Sequence, residues 1–218
     1  MAATLKVKHG EAAYERDSVL FAEIEYAWPM LSGLMSAAAR NGGRLNVLDF
    51  GGALGSSYFQ NRKFLQTLLD VRWNVVEQFH YVEAGRKHIQ DKQLRFYQTI
   101  EECISENQPN VILLSSVLQY LASPIELLGK LNKVGASYLI IDRTPFSANG
   151  TDKLTIQKVP ADIYSASYPM WIFSLSEFKQ FLEVNWRLMA STLRPEGYAR
   201  TTNGVEFMFQ YPLLEFSR

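Results

Sequence analysis

The chain has 218 residues, with 22 Lys+Arg against 22 Asp+Glu and a formal net charge of zero. Apolar residues make up 47% and aromatics 13%, a composition that excludes a disordered chain. The charge balance speaks against a nucleic-acid partner, whose phosphates call for a basic excess.

The single cysteine, Cys103, excludes an internal disulfide framework and a cysteine-rich metal site. His9, His80 and His88 form no His-Glu-x-x-His pair, so no metal is expected. The N-terminus lacks the apolar core of a signal peptide. No apolar run approaches the ~18 residues that span a bilayer. A cytoplasmic protein without membrane insertion is expected.

Residues 1–44 read as a helical lead or cap. Val19, Leu20, Phe21, Ile24, Trp28, Leu31, Leu34 and Met35 recur at helical spacing. Pro29 separates two helices, and Asn41-Gly42-Gly43 ends the lead.

From residue 45 the pattern changes, and 45–218 reads as one domain. Apolar runs at 45–50, 73–77, 95–97, 111–115 and 138–142 predict strands. Helical stretches at 57–69, 82–90, 100–106 and 117–131 alternate with them. Such alternation predicts an α/β fold, a mostly parallel sheet with helices on both faces. Residues 174–184 read as a helix with Ser174 as its cap. Residues 186–193 and 205–211 then alternate like strands. Two successive strands without a helix between them pair antiparallel, so a C-terminal hairpin is expected to close the sheet.

The stretch from Asn46 to Gly55 runs from a buried strand through a small-residue turn into a helix. Glycines permit a sharp turn and close approach to a ligand, and the helix start offers free N–H groups. Asp49 ends the first strand and Glu77 the second. An acid at the second strand tip commonly takes ribose hydroxyls. The alternative for Glu77 is a solvated strand end.

These residues resemble the class I S-adenosylmethionine-dependent methyltransferases, over roughly residues 45–211. The family's acid–x–Gly–x–Gly–x–Gly loop is matched by Asp49, Gly51, Ala53 and Gly55, with Ala53 in place of the middle glycine. The resemblance implies a Rossmann-like seven-stranded sheet and S-adenosyl-L-methionine as cofactor, leaving S-adenosyl-L-homocysteine. It places Gly52 and Ser57 in the loop region, and Glu77 and Gln78 at the ribose. It sets Gln98 or Thr99 near the adenine, and Ser115, Ser116, Gln119 and Tyr120 around the methionine end. More narrowly, VLDFGGALGSSYFQNRKFL, WNVVEQ, LLSSVLQYL, IDRTPF and SYPMWIFS are similar to a bacterial family of methyltransferases associated with surface-polysaccharide biosynthesis.

The acceptor is expected above the strand carboxyl ends, walled by the lead and by the segment 143–172. That segment carries Asp162, Tyr164, Tyr168, Pro169 and Trp171. Aromatics with polar tips suit a sugar-like or small amphipathic ligand, or else they pack the segment onto the core. Asp142 is the first general base to consider, with His80 and Tyr168 as further catalytic candidates. Asp142 reads equally as an ion-pair partner of Arg143. Arg16 and Arg143 are substrate-side candidates, and a solvated helix face is the alternative for Arg16.

The function expected is methyl transfer to a small or sugar-type acceptor, at oxygen. A noncatalytic cofactor-binding protein of the same fold is the alternative. A nicotinamide-dependent oxidoreductase is weaker. From Gly51, its Gly-x-Gly-x-x-Gly fingerprint meets Ala53 and Ser56. After the fourth strand, Ser115-Ser116-Val117-Leu118 replaces the motif of DNA-base methyltransferases, which again disfavours nucleic acid.

Overall fold

Apolar runs become strands where both sheet faces are buried, and the computed structural model shows this along the chain. It describes all residues except 17, 148–149, 160–164, 193–195 and 201–205. The order begins α1 (Ala2–His9), β1 (Tyr14–Arg16), β2 (Val19–Phe21), α2 (Trp28–Arg40), β3 (Arg44–Phe50), α3 (Ser56–Leu65) and β4 (Asp70–Val76). There follow α4 (Phe79–Ala84), β5 (Leu94–Tyr97), α5 (Ile100–Glu106), β6 (Val111–Ser115), α6 (Pro124–Leu131) and β7 (Tyr138–Asp142). The remainder is β8 (Phe146–Ser147), β9 (Lys153–Val159), β10 (Ala166–Ser174), α7 (Leu175–Glu183), β11 (Arg187–Thr192), β12 (Glu196–Arg200), β13 (Glu206–Gln210) and β14 (Leu213–Ser217).

The seven-stranded sheet has the order β11-β14-β7-β6-β3-β4-β5. From β7 to β5 every pairing is parallel, and β14 is antiparallel to both its neighbours. Successive side chains point to opposite faces. Val111 and Leu113 join one core with α1, α2 and α3, and Ile112 and Leu114 join the other with α5, α6 and α7. Helices therefore cover both faces, as the alternating pattern predicts.

Four local expectations are corrected. In the lead, 19–21 is not helical. Val19, Leu20 and Phe21 form β2, paired antiparallel with β1, and all three are exposed. Ser18 turns this hairpin at a positive φ of 67°. The stretch 82–90 is α4 continued by a π-helical turn, Gly85–Ile89. A Cβ at Gly85 would stand 2.6 Å from the Phe96 ring, so glycine lets this turn lie on the sheet. The stretch 117–131 splits into a 3-10 turn at Leu118–Tyr120 and α6, with Pro124 opening the helix.

The fourth correction concerns the end of the chain. An antiparallel C-terminal pair closes the sheet as expected, but β13 (Glu206–Gln210) is not its second strand. The antiparallel partner of β11 is β14. Leu214 and Phe216 fill the core of the large sheet there. β13 instead pairs with β12 and β8 in a second, five-stranded sheet of order β12-β13-β8-β10-β9. Phe209 joins Met170 and Ile172 in a small core of that sheet. The segment 143–172 thus supplies β8, β9 and β10 rather than a long loop.

Candidate functional site

Parallel strands of one sheet end on the same side, so the loops after β3, β4, β5, β6 and β7 converge there. The loop after β3 is held by Gly51 N–H, which donates to Val76 O at 2.9 Å. Gly51 has a φ of 74°, and a Cβ on it would lie 2.4 Å from Val117 Cγ2. Ala53 takes a φ of 50°, a conformation in which a side chain is strained. Ser116 and Arg143 are also left-handed, with φ of 58° and 52°. Strained backbone thus gathers at the carboxyl ends of β3, β6 and β7.

Some of the buried polar atoms without partners lie at the same ends, while those of Asn61, Asn74 and Thr192 lie elsewhere. Asp49 Oδ1, Gln119 Oε1 and Thr144 Oγ1 are buried and accept or donate no hydrogen bond. Asp49 is 1% exposed, and its Oδ2 accepts from Trp73 Nε1 at 2.8 Å. A Cβ at Gly52 would stand 2.4 Å from Asp49 Oδ2, so the loop lies directly on this carboxylate. Burial raises the Asp49 pKa from 3.8 to about 7, against the Trp73 hydrogen bond and the Arg143 charge, which lower it.

Asp142 is fully buried and Arg143 half-buried. Ser115 Oγ donates to Asp142 Oδ2 at 3.1 Å and accepts from Arg143 Nη2 at 3.0 Å. Arg143 Nε lies 3.6 Å from Asp142 Oδ2. This is the ion-pair arrangement, relayed through a hydroxyl. Gln119 Nε2 donates to Ser116 Oγ at 3.2 Å and to Arg143 O at 3.1 Å, tying the ends of β6 and β7 together.

At the next strands, Glu77 is half-buried and its Oε2 accepts from Gln78 N–H at 2.6 Å. Gln98 is exposed at the end of β5. The Thr99 hydroxyl accepts from Glu102 N–H at 3.0 Å and so caps α5. The Glu102 carboxylate returns to Gln98 N–H at 2.7 Å. The Thr-Ile-Glu-Glu string carries this capping signal in the sequence. Ser57 is buried in the first turn of α3.

A cleft of about 730 Å³ adjoins these loops. It is lined by Gln78, Tyr81, Gln119, Tyr120, Leu121, Ala122, Leu154, Tyr168, Pro169 and Trp171. Tyr120 packs edge-on against Tyr168, and its OH donates to Gln157 Oε1 at 3.0 Å. Trp171 Nε1 donates to Leu121 O at 3.1 Å. The second sheet therefore forms one wall of the cleft. Tyr168, Pro169 and Trp171 of the segment 143–172 are in this wall, while Leu154 and Ile156 of β9 are exposed. A larger cavity, about 860 Å³, is lined by Asp70, Arg72 and Asp91 among others, at the opposite ends of β4 and β5.

Other sequence-derived residues lie as follows. His80 is exposed, its ring 4.5 Å from that of Tyr81, which brings it beside the cleft. Arg16 sits over the Phe21 ring at 5.5 Å, within the lead hairpin. Tyr164 and Asp162 lie outside the described residues. The lead reaches the glycine loop through a residue given no defined role, Glu15. It is 3% exposed, and its carboxylate accepts hydrogen bonds from the Ser56 hydroxyl and from Ser18 N–H.

Burial pushes the Cys103 thiol up to about 12, so it is no nucleophile. Among the described residues no group of three His, Cys, Asp or Glu could hold a metal. No described helix is long and apolar enough to cross a membrane.

No protein-family model matches the chain, and no curated protein matches it. Solved structures do. The N-terminal domain of EvdMO1, crystallised in the presence of SAH and D-fucose, is 12% identical with a TM-score of 0.56, covering 99% of this chain and 95% of that one. The glycopeptide N-methyltransferase MtfA, complexed with (S)-adenosyl-L-methionine, is 13% identical with a TM-score of 0.53 and covers 86% and 93%. A SAM-dependent methyltransferase from Methanosarcina mazei is 11% identical with a TM-score of 0.51 and covers 81% and 93%. The fold is that of S-adenosylmethionine-dependent methyltransferases.

Proposed function

We propose that the protein is an S-adenosylmethionine-dependent methyltransferase acting on a small or sugar-type acceptor, at oxygen. The observation that carries this reading is the convergence of left-handed backbone and orphaned buried polar atoms at the carboxyl ends of β3, β6 and β7. Polar atoms left unpaired in a protein interior cost free energy unless a ligand completes them. The residues present fit a nucleoside cofactor. Gly51 and Gly52 keep the loop free of side chains, and no side chain caps the first turn of α3.

In this reading Glu77 and Gln78 hold the ribose, Gln98 lies by the adenine, and Ser115 and Ser116 flank the methionine end. Thr99 contributes through the position of α5 that its cap fixes. Residues 1–44 act as a cap, latched onto the glycine loop by Glu15. The cofactor supplies an activated methyl group. The chain's own work is to align the acceptor with it and to exclude water, and alignment alone can lower a barrier by about 7–11 kcal/mol. The buried Asp142 positions Arg143 and Ser115. Tyr168, in the cleft, and His80, beside it, are the candidates for taking the acceptor's proton. The same reading places the reaction in the cytoplasm, in surface-polysaccharide biosynthesis, on the strength of the strings given above.

A second reading, a noncatalytic cofactor-binding protein, draws on one observation: among the described residues no carboxylate or imidazole lines the cleft. Calorimetric titration with S-adenosylmethionine, S-adenosylhomocysteine and NAD(P)H decides between them. Binding of the sulfur cofactors with transfer to an acceptor panel supports the first reading. Binding without transfer supports the second. Binding of NAD(P)H alone overturns both.

A further inference from the structure

Among the described residues, the lining of the 730 Å³ cleft contains no Asp, Glu, Lys, Arg or His. A formal charge entering it would lose hydration and meet no countercharge, which is costly. The polar tips of Tyr120 and Trp171 are already occupied by Gln157 Oε1 and Leu121 O. These rings therefore serve the cleft mainly as apolar surface, suited to the face of a flat or puckered ring.

The lining also carries Gln78, Tyr81 and Tyr168, and among its polar side chains one is deeply buried. Gln119 is 2% exposed and lines the cleft. Its Nε2 donates to Arg143 O, an atom that can only accept, so the orientation of the amide is fixed. The other end, Oε1, is then an acceptor, buried and without a partner. It is held ready for a donor that the folded chain does not supply.

We infer that this cleft receives an uncharged, hydroxyl-bearing ring of the methyl acceptor, and that Gln119 Oε1 accepts a hydrogen bond from one of its hydroxyls. This deepens the methyltransferase reading and rests on it. It moves Gln119 from the cofactor's methionine end to the acceptor side. Gln119 is thus a specificity residue, since a site built around a hydrogen bond rejects analogues that lack the donor. A sugar ring and a phenol share the required chemistry, and the test separates them.

The full chain is titrated with methyl β-D-galactopyranoside, with 4-methylcatechol and with D-galacturonate, each with and without S-adenosylhomocysteine. One of the two neutral ligands should bind, and the uronate at least about tenfold more weakly than the galactoside or catechol that does. Gln119→Met, matched in length but lacking the amide, should weaken the neutral ligand about tenfold and weaken S-adenosylhomocysteine less than the neutral ligand, because on the cofactor side it removes only the Nε2 tie to Ser116. Leu154→Lys, at an exposed position on the rim, should strengthen galacturonate binding severalfold. The inference is overturned if neither neutral ligand binds, if the uronate binds as tightly, or if both variants behave like the parent. Gln119-dependent binding of a neutral ring without any S-adenosylhomocysteine binding would sink the cofactor reading and leave the cleft assignment standing.

Discussion

Replacing Asp49 with asparagine keeps the side chain's shape and removes its titration. The amide oxygen can still accept from Trp73 Nε1, which lies 2.8 Å from Oδ2 in the parent. The folded-state pKa of Asp49 is raised from 3.8 to about 7. A raised carboxyl pKa means that the folded chain holds the proton more tightly than the unfolded one. Its stabilising effect is complete below pH 3.8 and is lost as pH rises through about 7. Between pH 5 and pH 8 this linkage amounts to about 2.5 kcal/mol of stability. Urea unfolding of both proteins at the two pH values measures it. The parent should lose about 2.5 kcal/mol more than Asp49→Asn across that interval. Every group other than residue 49 is common to both proteins and cancels in the comparison. Equal losses in parent and variant would show that the carboxylate is ionised in the fold, and the account of burial beneath the glycine loop would be wrong.

Three further outcomes are expected. Gly51→Ala places a Cβ 2.4 Å from Val117 Cγ2 at a φ of 74°, and should lower Tm by roughly 5–10 °C in a thermal melt. A shift under about 2 °C would mean that the loop yields easily. If Glu77 holds the ribose as proposed, Glu77→Ala should weaken S-adenosylhomocysteine binding roughly 10–100-fold by calorimetry, through loss of a charged hydrogen-bond partner. Unchanged affinity would end its ribose role. Glu15→Ala removes the acceptor for the Ser56 hydroxyl and for Ser18 N–H, and should speed hydrogen exchange in β1 and β2 before the rest of the chain. Protection equal to the parent's would show that the lead is held by its other contacts.

The sequence was most legible where one rule dominated. The strands at 111–115 and 138–142 have the expected bounds because every residue from Val111 to Leu114 is buried on one face or the other. The Ser174 cap was readable for a similar reason, and its hydroxyl accepts from Glu177 N–H at 3.4 Å. The glycine loop was equally plain, since turn chemistry is local. Long-range choices were not legible. Alternation marks 205–211 as a strand but does not say which strand it meets, and its partners β12 and β8 belong to another sheet. Val19–Phe21 fits a helical stripe with Ile24 and Trp28, yet three residues in a row pair across a hairpin instead. At the site, the identity of Asp49 was legible. Its bond to Trp73 was not, because it depends on the register that sets Val47 opposite Trp73. The orphaned oxygen of Gln119 could be seen only once the partners of its Nε2 were known.

The reversed strand β14 has a consequence for how the molecule is made. It follows every other strand of that sheet in sequence, yet it lies inside the sheet, between β7 and β11. Until residues 213–217 leave the ribosome, β7 carries an open edge and the pockets for Leu214 and Phe216 stay wet. Synthesis proceeds from the N-terminus at about 5–20 residues per second, so the parallel strands can assemble early while the sheet's final seam must wait. The seam is then closed by contacts far apart in sequence, which are slow to form. During that wait the nascent chain presents an unpaired β edge, a surface that chaperones and neighbouring chains can recognise.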